Sequence, residues 1–465
     1  MNATRVFWLL SILLFPSLGA RALPQNPSFL HVATPKMPLM SASLFFPFGC
    51  ATESKEFAGA AHLLKQWAPL GTQKYSKTEI AQKKAQLGAQ FEFEISTQFS
   101  TLTVEAPQND FLEAWNLALE IFRKPKLSDT DLETIRVGVI NSKANRLSDW
   151  VTAGVQLGKA VAYAGTAQAC SEYGTEHALK TLTSIQLKRF HQDTFFKGPS
   201  AILLSDNISG QLEKSIRASL VGWTAPYEPR KTQPFLRNGK NMIIVERPES
   251  TQSYLFFVKP GPIPGTKDHA LVSLATQILG SNGGNSSILF DELRAKQGLT
   301  YHASISTSRR PHLDTIFGIT FGSNENIEAL ASGFLKHWSN FAQKTDFLLD
   351  DLKEASLAEA ANRNRKTGET IAQLLATAAQ TYSVTMDVKP IWATTPVSIA
   401  EFNAAKSKWL QANDFTLLAF GDSTKIREPL TKALGKVMDL KILPENSDWD
   451  MISNAVAKSE TGNKQ

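Results

Sequence analysis

Residues 253–257, SYLFF, repeat in the second half of the chain the run SLFF found at residues 43–46 in the first half. Short runs rich in aromatic and branched apolar residues are typical of buried β-strands. A segment with helical periodicity follows each run, at residues 59–67 and at residues 269–279. The same pair of elements therefore occurs once in each half.

The rest of each half keeps this correspondence. Each contains a strand followed by a helix, and later a helix followed by a second buried strand. These segments are residues 101–104, 112–122, 184–185 and 201–206 in the first half and residues 316–321, 327–341, 398–399 and 416–422 in the second. The alternation of strands and 3.6-period helices predicts two similar α+β domains, each a β-sheet with helices packed on one face.

Changes in composition along the chain predict the domain boundaries. Three prolines and one glycine, in a segment with little periodic hydrophobicity, mark a linker, and the chain becomes polar near its end. We predict a signal peptide at 1–22, a first domain at 23–223, a linker at 224–240, a second domain at 241–443 and a disordered tail at 444–465.

The N-terminus has the pattern of an export signal. Arg5 supplies a positive charge, residues 6–19 are mainly apolar, and residues 20–22 (ARA) form a small-x-small cleavage site. The alternative, an uncleaved membrane anchor, needs about 20 apolar residues, more than this run provides. We therefore expect an exported chain with no transmembrane segment after the signal is removed.

The composition excludes several classes of protein. The chain has 465 residues, a net charge of +6 from scattered basic residues, and two cysteines. Scattered charge argues against nucleic acid as a partner. Two cysteines are too few for a disulfide scaffold, a four-thiolate zinc module or an iron–sulfur protein. Cys50 and Cys170 could pair in an oxidising compartment, but we expect two buried free thiols.

Two motifs give a family resemblance. Residues 59–66, GAAHLLKQ, resemble the metal-binding helix of the pitrilysin/insulinase metallopeptidases, the inverted zincins with the signature H-x-x-E-H. Residues 76–80 and 86–89 resemble the helix and turn that precede the substrate strand in that family. Residues 278–301, ILGSNGGNSSILFDELRAKQGLTY, resemble its inactive-domain signature. The resemblance extends from about Ser28 to Val437 and implies the metallopeptidase (LuxS-like) fold.

The metal site implied by the resemblance is degenerate. The chemistry needs two His at i and i+4, a Glu between them as general base, and a further Glu from a later helix. His62 is present, but Lys65 stands in place of the base and Gln66 in place of the second His, and no glutamate lies between Glu133 and Glu172. We predict no metal, no cofactor and no catalytic residue in this chain.

No other catalytic motif replaces this site. The eight histidines include no pair at i+3 or i+4, and G-x-S-x-G, P-loop and G-x-G-x-x-G motifs are absent from the sequence. Gly280, Gly283 and Gly284 could in principle cradle a phosphate, but the P-loop lysine is missing. The resemblance implies a turn before a helix there instead.

Arg294 and Tyr301 are the candidate substrate-binding residues. Spacing alone makes them a solvated helix residue and a strand residue packed on the sheet. The resemblance implies instead that both side chains reach across a closed chamber and hydrogen-bond the substrate carbonyl at the zinc site. Gly298 is suited to end the helix that carries Arg294, after which Tyr301 opens a strand. Ile288 departs from the family pattern, which often has Arg at that position.

The resemblance implies a non-catalytic subunit of a processing-peptidase-like pair. A zinc-bearing chain of the same fold would supply the catalytic site, and this chain would close the chamber and position an extended peptide. Residues 91–96 hold the family's edge-strand position, although Glu92 replaces a typical Asn. The periplasm of a Gram-negative cell is the expected location.

Two alternatives from other classes stay open. One is a structural or peptide-binding protein without a peptidase partner, like the core subunits that this fold contributes to respiratory complexes. The other is an active zinc metallopeptidase with rearranged ligands, for which Asp149 is a candidate.

Overall fold

The structure is a computed structural model that describes residues 28–32, 39–205, 207–223, 239–263, 266–280, 287–307, 315–346 and 398–457. The predicted signal peptide, nearly all of the predicted linker, Gly283 and Gly284 lie outside these residues. So do the last eight residues of the chain.

Among its described residues, the first half of the chain contains five strands and eight α-helices. The strands are β1 (Ser28–Val32), β2 (Leu39–Phe46), β3 (Gln90–Ile95), β4 (Ser100–Pro107) and β5 (Ala201–Ser205). The helices are α1 (Ala60–Trp67), α2 (Lys77–Gln86), α3 (Phe111–Arg123), α4 (Asp129–Ser148), α5 (Trp150–Ala162), α6 (Glu176–Thr181), α7 (Ser184–Asp193) and α8 (Gly210–Ser219).

The second half contains six strands in its described part. They are β6 (Lys240–Glu246), β7 (Gln252–Pro260), β8 (Ala303–Thr307), β9 (Thr315–Ser323), β10 (Phe415–Gly421) and β11 (Val437–Leu443). The helices described there are α9 (Lys267–Gly280), a π-helical turn (Phe290–Ala295), α10 (Ile327–Gln343), α11 (Ile399–Trp409), α12 (Ser423–Leu434) and α13 (Trp449–Ala457).

The two sheets repeat one topology. The first has the strand order β1-β5-β2-β4-β3 and the second β11-β6-β10-β7-β9-β8. With the edge strand β11 set aside, the second order copies the first strand for strand. The orientations agree as well, because β1 and β6 run parallel to β5 and β10, and the other matched pairs are antiparallel. The predicted α+β fold with two similar domains is confirmed.

Local sequence signals place corresponding helices in both halves. The side chains of Thr183 and Gln186 form a capping box at the start of α7, and Ser398 and Glu401 form one at the start of α11. Each box satisfies backbone N–H groups that the first helical turn leaves without partners. These helices begin at the same point of the repeat, each ahead of the strand (β5 or β10) that pairs in parallel with the first strand of its half (β1 or β6).

Alternating residues divide the second sheet into two buried faces. Leu255 and Phe257 of β7 face the core beneath α9, α10 and α12, whereas Phe256 and Val258 face a second cluster. That second cluster contains residues of α5, which belongs to the first half of the chain. The sheet therefore carries its own helices on one face and a helix from the other half on the opposite face.

Two glycines let α5 approach the second sheet closely. A Cβ atom at Gly154 would lie 2.1 Å from the ring of Phe256, and one at Gly158 would lie 2.6 Å from the ring of Phe317. Both distances are far below van der Waals contact, so only glycine fits at these two positions in this packing. The two halves are joined through a tightly packed interface in addition to the linker.

The prediction of a disordered tail over 444–465 is wrong for part of that segment. Residues Trp449–Ala457 form α13, which packs on α5, and its Trp449, Ile452 and Val456 are buried in the second cluster. These three residues recur at the spacing of one helix face, so α13 has an apolar stripe to bury. The segment is also tied to the first half by an ion pair, because Nζ of Lys143 lies 3.5 Å from a carboxylate oxygen of Asp448.

The expectation of two free thiols is also wrong. Cys50 and Cys170 form a disulfide, with their Cα atoms 5.8 Å apart. The two cysteines are 120 residues apart in sequence, and folding brings them together because the turn after β2 packs against the segment that follows α5. The disulfide thus fastens the first sheet to the part of the chain that reaches the second.

Candidate functional site

Helix α1 is held firmly in the first core. It begins after Gly59, whose φ of 96° suits glycine, and the buried carboxyl group of Glu53 accepts hydrogen bonds from the backbone N–H groups of Gly59 and Ala61 at 2.7 and 2.9 Å. Burial raises the pKa of Glu53 to about 8. Leu63, Leu64 and Trp67 on the helix are buried. The motif positions of α1 are therefore fixed relative to the sheet.

His62 is a buried, neutral ring. It is 8% exposed, and its ring centroid lies 4.3 Å from that of Tyr173. Burial, helped by the positive charge of Lys65, lowers the pKa of His62 to about 4, against the opposing effect of the Glu172 carboxylate. At neutral pH the imidazole is uncharged and packs against the Tyr173 ring at an interplanar angle of 38°.

Lys65 puts a positive charge on the helix where the family needs a base. The side chain is half-buried, and this burial lowers its pKa, while the carboxylates of Glu94 and Glu92 on β3 oppose the shift. Gln66, the next residue, is exposed. One imidazole, one amine and one amide do not make the ligand set of a zinc ion, so these residues do not fit the metal.

A loop that the sequence analysis did not single out covers His62. It comprises residues 170–174 and lies between α5 and α6. A Cβ atom at Gly174 would lie 2.2 Å from the carbonyl oxygen of Ala58, so the loop rests directly on the start of α1. The guanidinium of Arg146, from α4, lies 5.2 Å from the centroid of the Tyr173 ring. No spacing in the sequence points to these contacts, because they join residues far apart in the chain.

Asp149 has a structural task. Its carboxylate accepts hydrogen bonds from the N–H of Val151 at 3.1 Å and from the hydroxyl of Thr152 at 2.7 Å. These contacts cap the N-terminus of α5 and lower the pKa of Asp149. The residue proposed as a substitute metal ligand is thus used as a helix cap.

Arg294 and Tyr301 lie together on the second half. The guanidinium of Arg294 lies 4.3 Å from the Tyr301 ring centroid and 4.9 Å from that of Phe290. Gly298 has a φ of 61° and its N–H donates to the carbonyl of Arg294 at 3.0 Å, which ends the helical turn as the sequence predicts. Tyr301 precedes the strand by two residues, because β8 begins at Ala303.

Half-exposed rings continue from this pair across the second sheet. The ring of His302 faces Phe321 at 6.3 Å, Phe321 stacks on Tyr254 at 4.8 Å, and Tyr254 meets Trp150 edge-on at 5.0 Å. Trp150 opens α5, four residues after Arg146, which lies in the last turn of α4. Aromatic contacts therefore connect the neighbourhood of Arg294 with the N-terminal end of the helix that joins the two halves.

Strand β3 presents a polar face at the edge of the first sheet. It is the last strand in the order of that sheet, and among the described strands it pairs with β4 alone. Gln90, Glu92 and Glu94 are exposed, whereas Phe93, between the two glutamates, is buried. The other backbone edge of β3 carries amide and carbonyl groups that β4 does not use.

The described ranges of the chain contain neither a metal-binding cluster of side chains nor a membrane-spanning helix. Within those ranges, no three His, Cys, Asp or Glu side chains come close enough together to hold a metal ion. No helix in the same part of the chain is both long enough and apolar enough to cross a membrane.

The duplicated sheet topology and the altered metal helix define a two-domain protein built like a metallopeptidase. Comparison with known families agrees, because residues 29–160 match the family described as insulinase (peptidase family M16) and residues 181–356 match the peptidase M16 inactive domain. The chain belongs to the M16, or insulinase, peptidase family.

Curated relatives are distant. The chain is 24% identical over 283 residues to the uncharacterized zinc protease Mb2805c of Mycobacterium bovis, a match over 59% of this chain and 64% of the relative. It is also 24% identical over 275 residues to the non-peptidase homolog YmxG of Helicobacter pylori, over 58% of this chain and 63% of the relative. The chain thus spans less than two thirds of these relatives.

Solved structures share the fold. The peptidase M16 inactive domain from Pseudomonas fluorescens superposes with a TM-score of 0.74 at 20% identity, over 86% of this chain and 97% of that one. The periplasmic protease PqqL from Escherichia coli gives a TM-score of 0.66 at 13% identity, over 88% of this chain and 49% of that one.

Proposed function

We propose that this chain is a non-catalytic subunit that pairs with a zinc-bearing chain of the same fold to form a peptide-degrading or processing metallopeptidase. One observation carries the proposal. The motif helix is intact as a structural element, but His62 is a neutral ring packed against Tyr173, and Lys65 has replaced the base. The fold of a peptidase is kept while the chemistry of its metal site is lost.

The zinc ion and the general base would come from the partner. A bound zinc ion activates water for attack on a peptide carbonyl, and that chemistry requires the ligands this chain lacks. The charges beside His62 oppose the binding of a cation, because the ammonium of Lys65 and the guanidinium of Arg146 both lower the pKa of that imidazole. The residues of this chain would act on the substrate from elsewhere.

Arg294 and Tyr301 are the residues that would contact substrate. Tyr301 is 71% exposed, unusually high for a tyrosine, so its hydroxyl is accessible to a ligand. The adjacent guanidinium, 4.3 Å from the ring, supplies a positive charge at the same place. Two donors of this kind, aimed at one carbonyl oxygen in a chamber poor in water, would stabilise the negative charge that develops there during attack.

Strand β3 would hold the substrate backbone. An extended peptide could pair with its outer edge and place alternate side chains beside Glu92 and Glu94. The predicted signal peptide and the likeness to a periplasmic protease support export, with the periplasm as the proposed location. One relative of this chain carries the name non-peptidase homolog, which agrees with a non-catalytic role.

Reconstitution tests the proposal. The mature chain would be mixed with a same-fold chain that has an intact H-x-x-E-H and is encoded beside it, and complex formation would be followed by size-exclusion chromatography with light scattering. We expect a stable pair that cleaves peptides, whereas this chain alone cleaves none and the zinc-bearing chain alone is much less active. A zinc-bearing neighbour that is fully active alone and does not bind this chain would contradict the pairing and favour a structural or peptide-binding role. Chelator-sensitive cleavage by the isolated chain would favour a rearranged active site.

A further inference from the structure

The disulfide Cys50–Cys170 lies beside a buried cation. Nζ of Lys159 is 3.9 Å from Sγ of Cys50, and the lysine is 8% exposed. The same ammonium donates to the hydroxyl of Thr97 at 3.1 Å and to the carboxylate of Glu172 at 2.9 Å. A buried ammonium next to a sulfur stabilises the thiolate that forms when the disulfide opens.

The two sulfur atoms differ in access. Cys50 is 4% exposed, whereas Cys170 is half-buried at the start of loop 170–174. An external thiolate therefore reaches Cys170 more easily, and Cys50 then becomes the leaving group. A leaving sulfur departs faster when its thiolate is stabilised, and the Lys159 ammonium is placed to do this.

We propose that Cys50–Cys170 is an exchange-competent redox site whose substrate is a dithiol, and that its reduction releases loop 170–174 from the motif helix. A thiolate of the dithiol attacks Sγ of Cys170, the S–S bond breaks, and Cys50 leaves as a thiolate beside Lys159. The second thiol of the dithiol, as a thiolate, then attacks the mixed disulfide and releases Cys170. The protein gains two electrons, Cys170 takes up one proton on release, and Cys50 stays a thiolate beside Lys159. The dithiol is oxidised to a disulfide and gives its second proton to solvent.

The contacts of the loop link this exchange to the motif helix. Within the loop, Glu172 forms an ion pair with Lys159, and the ring of Tyr173 packs against that of His62. The carbonyl oxygen of Gly174 accepts a hydrogen bond from Nζ of Lys143 at 3.1 Å. Opening of the disulfide removes the covalent tether at Cys170 and gives Lys159 a second anion, the Cys50 thiolate, to pair with. Both changes weaken the hold on the loop that covers His62. The inference does not depend on the proposed pairing with a peptidase.

A redox titration of the full oxidised chain tests the proposal. The chain would be equilibrated with mixtures of reduced and oxidised dithiothreitol, and the reduced fraction would be read by alkylation and mass spectrometry. We expect Lys159→Gln to lower the equilibrium constant for reduction about tenfold, or about 30 mV. Glu172→Gln, which leaves the Lys159 charge without that carboxylate, should raise it.

Lys143→Gln is the matched control, because this second buried lysine contacts the same loop at the Gly174 carbonyl. It should leave the equilibrium constant for reduction within about twofold of the wild-type value, a smaller change than the roughly tenfold one expected for Lys159→Gln. If Lys159→Gln does not fold, Glu172→Gln still reports the effect of the lysine with the opposite sign.

Hydrogen exchange completes the test. Reduction should speed exchange at residues 171–174 while circular dichroism stays native. A wild-type equilibrium constant in both the Lys159→Gln and Glu172→Gln variants would overturn the role of the lysine. Reduction that occurs only together with global unfolding would overturn the redox site itself.

Discussion

The guanidinium of Arg294 lies over the ring of Tyr301, 4.3 Å from its centroid, although seven positions separate the two residues. Gly298 makes this possible, because its positive φ turns the chain back after the helical turn. A cation held against an aromatic face fixes the orientation of both side chains. The two residues are therefore expected to act as one unit.

The first prediction follows from this pairing. In a reconstituted complex with a zinc-bearing partner, Arg294→Ala and Tyr301→Phe should each lower kcat by about 10²–10³-fold, the usual effect of losing one oxyanion-type donor. The double variant should cost less than the product of the two single effects, since each residue positions the other. Peptide cleavage measures the rates, and chromatography confirms that the complex is intact.

Lys296→Ala provides the control for that series. Lys296 is exposed just after the same helical turn and pairs with Glu292, so its loss should leave turnover unchanged. Wild-type rates from the Arg294 and Tyr301 variants in intact complexes would return both residues to an ordinary surface role.

A second prediction concerns repair of the metal helix. Lys65→Glu with Gln66→His restores the H-x-x-E-H signature, but the two candidate carboxylates for the remaining ligand already have other partners. Glu172 is paired with Lys159 at 2.9 Å, and Asp149 caps α5. We expect weak zinc binding and little hydrolysis, measured by elemental analysis and by cleavage of a fluorogenic peptide. One tightly held zinc per chain with chelator-sensitive cleavage would show that a carboxylate does complete the site.

The third prediction is a pH dependence from His62. Its pKa is about 4 in the folded chain and about 6.5 when exposed, so between these values the unfolded chain binds a proton that the folded chain does not. The contribution of His62 to the free energy of unfolding should therefore be most favourable above pH 6.5 and fall as the pH drops towards 4. The loss is on the order of 3 kcal/mol, because one pKa unit corresponds to about 1.4 kcal/mol. Buried Glu53, whose pKa is raised to about 8, acts in the opposite direction.

Urea unfolding at pH 7.5 and at pH 4.5 measures this effect. His62→Gln removes the titrating ring, so wild type should lose stability relative to this variant between pH 7.5 and pH 4.5, while His177→Gln, at an exposed histidine on α6, should follow wild type. Equal slopes for wild type and His62→Gln would mean that the ring is not held neutral.

The order of strands and helices could be predicted from the sequence because apolar residues recur at strand spacing in some segments and at helix spacing in others. Some of these signals depend only on neighbouring residues, such as the apolar runs of β2 and β7 and the capping boxes at Thr183 and Ser398. Each kind of signal occurs once in both halves of the chain. Helix α13 could have been found in the same way, since Trp449, Ile452 and Val456 have helical spacing within a polar segment.

The contacts that shape the site could not be predicted in this way. Periodicity shows that α5 has an apolar face but not that the face lies on the sheet of the other half. Two contacts depend on how segments distant in sequence meet: the disulfide between Cys50 and Cys170, and the packing of Tyr173 against His62. Residue identity predicted the loss of the metal motif, and only the packed structure shows what lies against His62.

The last prediction tests the packing of α5 on the second sheet by replacing glycine with alanine at two positions, one inside this interface and one outside it. Gly154→Ala would place a Cβ atom 2.1 Å from the Phe256 ring, so α5 or the ring must move, whereas nothing lies within 4 Å of a Cβ at Gly138 on α4. Gly138→Ala should raise the free energy of unfolding by up to about 1 kcal/mol, the helix preference of alanine over glycine. Gly154→Ala should instead lower it by about 1–3 kcal/mol, the cost of overpacking. Chemical denaturation of both variants gives the two values, and stabilisation by Gly154→Ala equal to that by Gly138→Ala would mean that α5 does not pack closely on Phe256.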